Sequence, residues 1–222
     1  MDWLAVWFRD NGGSIKDLHR LILNSATYKQ VSNHHQGNAA IDISNKHLWR
    51  QNRRRLDAES LRDTVLVVSG KMNFEMGGPS FKDFVIEKPQ HSPHYQYHKY
   101  DPDDPLTHRR SVYRFIVRSQ PQPFMDTFDC ADPSQLVDKR GETTTALQAL
   151  ALLNNNFMVK MSQRFADNVS KSSNPVRKAF EMAISRIPSK DELDLLNSYE
   201  KRHGLAATCR IIFNLNEFSF ID

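Results

Sequence analysis

Arg53, Arg54 and Arg55 stand side by side just before Leu56-Asp57-Ala58-Glu59, a stretch that reads as a helix start. Free N–H groups at a helix start carry partial positive charge, so carboxylates are favoured there and cations are not. The cluster therefore calls for anions. A bound sulfate, phosphate or carboxylate would engage the guanidinium forks and the helix N–H groups together. Internal carboxylates would serve instead through Asp57, Glu59 and Asp63, with Arg55–Glu59 and Glu59–Arg62 at four- and three-residue spacing. Exposed pairs of this kind contribute only about 0.3–0.5 kcal/mol each, so the internal solution requires partial burial. The first solution makes the run one wall of a ligand site. The second makes it a brace for the helix, and the brace is the expectation.

A second cationic group, Arg109 and Arg110 with Arg114 and Arg118 beyond, could form the opposite wall, or could be neutralised by Asp126, Asp129 and Asp132. Between the two groups runs a His- and Tyr-rich segment. His91, His94 and His98 with Asp101 are ligand types for zinc or another transition metal, and would suit a metal-assisted hydrolase acting on polysaccharide. Pro93 interrupts the set, and the same groups could hydrogen-bond one another as a polar loop. Tyr95, Tyr97 and Tyr100 offer aromatic faces on which a sugar ring could stack. The candidate ligand-binding residues are therefore Arg53, Arg54, Arg55, Arg109, Arg110, Tyr95 and Tyr97, with the His set as the metal alternative. Gly-x-Ser-x-Gly, P-loop and His-Glu-x-x-His motifs are all missing, so no catalytic residue is assigned.

The elements that must position these residues are mostly helices. Up to Tyr28 the chain predicts two, separated by Asn11-Gly12-Gly13, with Ser14 and Asp17 as a capping pair. Val31 to Lys46 is polar and reads as a loop. Asp57 caps a helix running to Ser69, with Leu61, Val65 and Val68 on one face and Gly70 as the stop. Residues 71–123 read as an insertion of strand and loop. A short strand is expected near Phe81–Ile86, a long ordered loop from Glu87 to Leu106, and a half-buried strand over Arg110–Arg118. In that last strand Tyr113, Phe115 and Val117 alternate with Arg114 and Arg118. The final third is helical again. Thr143 or Thr144 caps one helix, Asn154-Asn155-Asn156 ends or bends it, Val176 to Ile187 forms an apolar stripe, and Ser189 with Glu192 makes a capping box. The class is mainly α: one helical domain over 1–222 with a small β element and a long ordered central loop.

Composition narrows the function. Thirty basic residues face 26 acidic ones, interspersed, for a net charge of +4 over 222 residues. That balance argues against a dedicated nucleic-acid binder, whose excess would be sharper and one-sided. Cys130 and Cys209 are the only cysteines and fit neither a haem-attachment nor a zinc-ribbon motif, so no cofactor is expected in this chain and the metal question stays open. No apolar run is long enough to span a membrane, and the first residues lack the basic flank and cleavage site of a signal peptide.

Several strings taken together resemble a known family. They are Asp2-Trp3-Leu4-Ala5, Leu18-His19-Arg20-Leu21-Ile22, Ser25 to Gln30, Trp49 to Glu59, Arg109 to Tyr113, Gln148 to Asn154 and Asn216-Glu217-Phe218. In order and content they resemble the planctomycete secretory domain found alongside cytochrome c modules, domain-of-unknown-function family 1553. The resemblance implies an extracytoplasmic location, periplasmic or secreted, in a multidomain protein with neighbouring domains such as a cytochrome c-like module. It also suggests that the chain corresponds to the C-terminal part of such a domain. It assigns no catalytic residues. The reading it favours is a non-catalytic binding or assembly module that recognises an anionic glycan; the alternatives are the metal-assisted hydrolase and a purely structural docking domain.

Overall fold

The structure, a computed structural model, describes residues 1–88, 92–136 and 138–221. They fall into two compact units, Met1–Arg54 and Arg55–Ile221.

The first unit holds α1 (Asp2–Asp10), α2 (Ile15–Asn24) and α3 (Gln36–Ile41). Gly12 and Gly13 take φ of +76° and +67° between α1 and α2, a region that side-chain-bearing residues rarely adopt. Ser14 Oγ accepts the Asp17 amide at 3.3 Å, as its spacing predicts. The short α3 lies inside the stretch expected to be loop. Its start is capped by an imidazole, His35 Nδ1 accepting the Asn38 amide at 3.2 Å, and its sequence has no apolar period to betray it. None of these three helices contains a buried residue.

The second unit carries α4 (Ala58–Val68), α5 (Pro123–Thr127), α6 (Ala146–Asn154), α7 (Asn156–Val169), α8 (Pro175–Ile184), α9 (Lys190–His203), α10 (Leu205–Phe213) and α11 (Asn216–Ser219). One core joins them. From α4 it takes Leu61, Val65 and Leu66; from α7 Met158, Met161 and Phe165; from α8 Ala179 and Phe180; from α10 Cys209, Ile212 and Phe213. Phe165 stacks on Phe213 at 5.2 Å between centroids, and Phe213 meets Phe218 at 4.9 Å. Met158, Met161, Phe165 and Val169 recur at helical spacing, which turns one face of α7 into the centre of the unit. The ends are set locally. Asp57 Oδ1 accepts the Ser60 amide at 2.7 Å, and Ser189 with Glu192 forms the expected reciprocal box. For α6 the cap is Thr145, boxed with Gln148, and not Thr143 or Thr144. Thr143 is committed elsewhere: its amide and hydroxyl both bond the Asp129 carboxylate.

Residues 71–123 depart most from expectation. A strand is present at Val85–Glu87, paired antiparallel with His94–Gln96, so the expected loop contains a strand of its own. Arg110–Arg118 is not a strand. Ser111–Tyr113 forms a 3-10 turn because the Asp63 carboxylate on α4 takes both the Ser111 amide, at 2.8 Å, and its hydroxyl, at 2.7 Å. The faces are reassigned as a result. Arg114 is buried, while Phe115 is exposed. Phe84, Tyr97 and Val117 make a second, smaller apolar cluster, with Tyr95 against its edge. Cys130 and Cys209 are free thiols, and no helix among the described residues is long and apolar enough to cross a membrane.

This packing predicts a sharp contrast between two truncations in urea denaturation. Phe165→Ala lowers unfolding free energy by about 3–5 kcal/mol. Leu147→Ala, on the exposed side of α6, changes it by less than about 0.5 kcal/mol.

Candidate functional site

The arginine run is divided. Arg53 and Arg54 belong to the first unit and Arg55 to the second. Arg53 Nε donates to Ser32 Oγ at 3.4 Å, and Arg54 is exposed. The Arg55 side chain is buried and committed: it donates to Asp129 Oδ2 at 2.6 Å, to the Thr143 carbonyl at 2.5 Å and to the Phe128 carbonyl at 3.2 Å. The neighbours that its spacing suggests are engaged with other groups. Glu59 is gripped by Arg140 through bonds of 2.5 and 3.0 Å. Arg55 is therefore tied to a carboxylate and carbonyls more than seventy residues away, and not to the Asp57, Glu59 and Asp63 that its sequence neighbourhood offers.

Arg109 is equally occupied. Its guanidinium donates to the carbonyls of Pro79, at 2.6 Å, and Gly77, and stacks over the Tyr113 ring at 4.1 Å. It holds the Gly77-Gly78 turn, where both φ angles are near +78°, and Arg110 stays exposed. Tyr97 is buried, its hydroxyl donating to the Gln120 carbonyl at 2.8 Å, and Tyr95 sits edge-on to Phe84 at 5.1 Å. His94, His98 and Asp101 are exposed, and His91 lies outside the described residues. Among the described residues no three His, Cys, Asp or Glu side chains gather into a group that could hold a metal ion.

What the fold does bring together is a buried ionic array. Arg62 projects from α4 and donates to the carbonyls of Thr107, at 2.5 Å, and Arg109, at 3.0 Å, and to Ser111 Oγ at 3.2 Å. Phe81 and Phe157 lie against its guanidinium, at 5.0 and 5.6 Å. Asp83 is only 2% exposed. Burial pushes its carboxyl above the ordinary carboxylate range, against the pull of Arg114 and Arg62. Burial likewise raises the Tyr100 hydroxyl, and Tyr97 to about 12, with Asp83 adding to both.

Arg114 completes the array and is paired there only at long range. It is 8% exposed, yet its ion pair with Asp83 Oδ2 spans 3.9 Å, too long for a hydrogen bond. Asp83 Oδ1 has no hydrogen-bond partner among the described residues. Arg114 lines a cleft of about 120 Å³ with Gln122, Met125, Cys130 and the rim carboxylates Asp126 and Asp132. Burial and Glu59 push the Cys130 thiol up to about 11, so it is a weak nucleophile at neutral pH. Gln122 also lines a second cleft, of about 250 Å³, walled by Tyr97, Tyr100, Phe124 and Phe157. Asp83 and Gln122 carry no local signature in the sequence. Arg114 is visible there, but alternation assigns it to the solvent face.

Fold and site together define a mainly α module with one cleft floored by a buried guanidinium and another walled by aromatic and amide side chains. The chain belongs to the PSD1 family of proteins of unknown function (DUF1553), whose family model matches residues 1–199. No curated protein matches it, and no solved structure does.

Two measurements set Arg55 apart from Arg54. Arg55→Ala leaves the Asp129 carboxylate without its partner and lowers stability by about 3 kcal/mol, whereas Arg54→Ala stays within about 0.5 kcal/mol. Acid titration reads the same contact. Burial raises the Asp129 carboxyl, but the Thr143 amide and Arg55 outweigh it and leave it depressed. Its contribution is full above about pH 4, the unfolded value, and is lost as pH falls through the folded one. Urea midpoints followed from neutral to acid pH fall less steeply in Asp129→Asn than in the native protein.

Proposed function

We propose that the chain is a non-catalytic, extracytoplasmic binding or assembly module of a multidomain planctomycete protein, and that it recognises an anionic group on a glycan. The observation that carries this reading is Arg114. A buried guanidinium is costly unless paired and hydrogen-bonded, and this one has a distant carboxylate that burial itself drives toward the neutral form. A carboxylate or sulfate entering the Arg114 cleft would supply the missing acceptors in the bidentate geometry that guanidinium favours. The rim carboxylates Asp126 and Asp132 disfavour a dense polyanion, so a single substituent on a sugar suits the cleft better than nucleic acid.

The assembly part of the reading is supported by the first unit. Its helices hold no fully buried residue, and Trp3 and Val6 on α1 and Ile15 on α2 are exposed. Apolar faces left open in this way suit contact with a neighbouring domain, and a cytochrome c-like module is the partner that the family resemblance suggests.

The test is a titration of an oligogalacturonate and of a sulfated carrageenan fragment onto the protein. Binding of at least one should weaken as ionic strength rises, and Arg114→Gln should weaken it about tenfold or more. Salt-insensitive binding, no binding of either, or equal binding by folded Arg114→Gln overturns the reading.

A further inference from the structure

We infer that the second cleft, walled by Tyr97, Tyr100, Phe124 and Phe157, is a binding subsite for a neutral sugar ring. It is separate from the Arg114 cleft and goes beyond the anion-binding reading. Its lining includes no carboxylate, ammonium or guanidinium, and its one imidazole, His98, is exposed. Its volume of about 250 Å³ falls just below the roughly 300–1,000 Å³ of small-molecule pockets, which suits one ring better than a long chain.

The walls suit a pyranose: Tyr100 is the most open of the Tyr and Phe rings, and Phe124, Phe157 and Tyr97 are buried side chains that back the cleft. Aromatic rings accept its apolar C–H faces, while hydroxyls around its edge require groups that both donate and accept. Those groups are present and have capacity to spare. Asn155 Oδ1 accepts the Phe157 amide at 2.9 Å, and Gln122 Oε1 accepts the Met125 amide at 2.7 Å. These bonds fix both amides in place and leave their NH₂ groups to donate. Asn156 is exposed at the first turn of α7, and its amide makes no hydrogen bond among the described residues. The half-buried Tyr100 hydroxyl makes none either and is free to donate. The aromatic walls are rigid: Phe124 meets Phe128 at 5.0 Å and Phe157 at 5.7 Å, and the Tyr97 hydroxyl is tied to Gln120. A ring therefore enters a surface that does not have to reorganise.

Neutral fragments of β-glucan, mannan, galactan and xylan, titrated by calorimetry, test this. At least one binds, and its affinity stays constant from ~0.01 M to ~1 M ionic strength, over which the Debye length falls from about 30 to about 3 Å. Asn156→Ala and Tyr100→Phe each weaken it about tenfold, while Arg114→Gln leaves it unchanged. Asn156→Ala replaces Asn with the best helix former at an exposed helical position, so it folds. Failure of every fragment to bind overturns the inference, as does binding that both variants retain. Salt-sensitive binding lost in Arg114→Gln bears only on the anion reading, so the two stand or fall separately.

Discussion

The long irregular segment between α4 and α5 is held to the helical core by two adjacent side chains on α4. Arg62 reaches outward from a helix whose next face is wholly apolar, and spends its donors on two carbonyls and a hydroxyl of residues 107–111. Asp63, beside it, takes the Ser111 amide and hydroxyl. A guanidinium and a carboxylate together meet the main-chain needs of a turn that has no ladder of its own. Everything downstream follows from that turn. Tyr113 is placed to bond Phe81, Arg109 is aimed back at the Gly77-Gly78 loop, and Arg114 is turned inward toward Asp83.

The clamp also explains why charge accumulates where it does. Arg62 can be buried because carbonyls satisfy it, and its positive charge lies among the influences on Asp83. Arg114 and Arg62 both act on Asp83 through their charge, and burial raises that carboxyl against them. The result is a cleft whose floor is cationic without being basic on the surface, which the near-balance of 30 basic and 26 acidic residues hides. A neighbouring cleft, sharing Gln122, is lined by aromatic and amide side chains with one imidazole, His98. These two clefts of different chemistry are the features on which the proposed binding role rests.

Much of the fold is legible in the sequence because its determinants are local. Ser14, Asp57 and the Ser189–Glu192 box act within three residues of themselves, and the apolar stripe of α8 repeats at 3.6 residues. The site is less legible because its determinants are distant. Arg55 meets Asp129 and Thr143, and nothing near Arg55 announces them. Period-two alternation over 110–118 correctly marks apolar residues but assumes a strand. A single carboxylate from α4 replaces that strand with a turn and exchanges the faces of Arg114 and Phe115. Thr145 displaces Thr143 as the α6 cap for the same reason, since Thr143 is claimed by Asp129.

The most direct test of this account is amide hydrogen exchange of Arg62→Met, which keeps the length and apolar contact of the stem and removes the donors. Loss of the clamp should speed exchange at Phe81, Ser111, Tyr113 and Phe115, while the interior amides of α7 and α10 remain as protected as in the native protein. Unchanged protection over 81–115, or protection lost evenly through α7 and α10, would contradict the claim that α4 positions this segment and the clefts it lines.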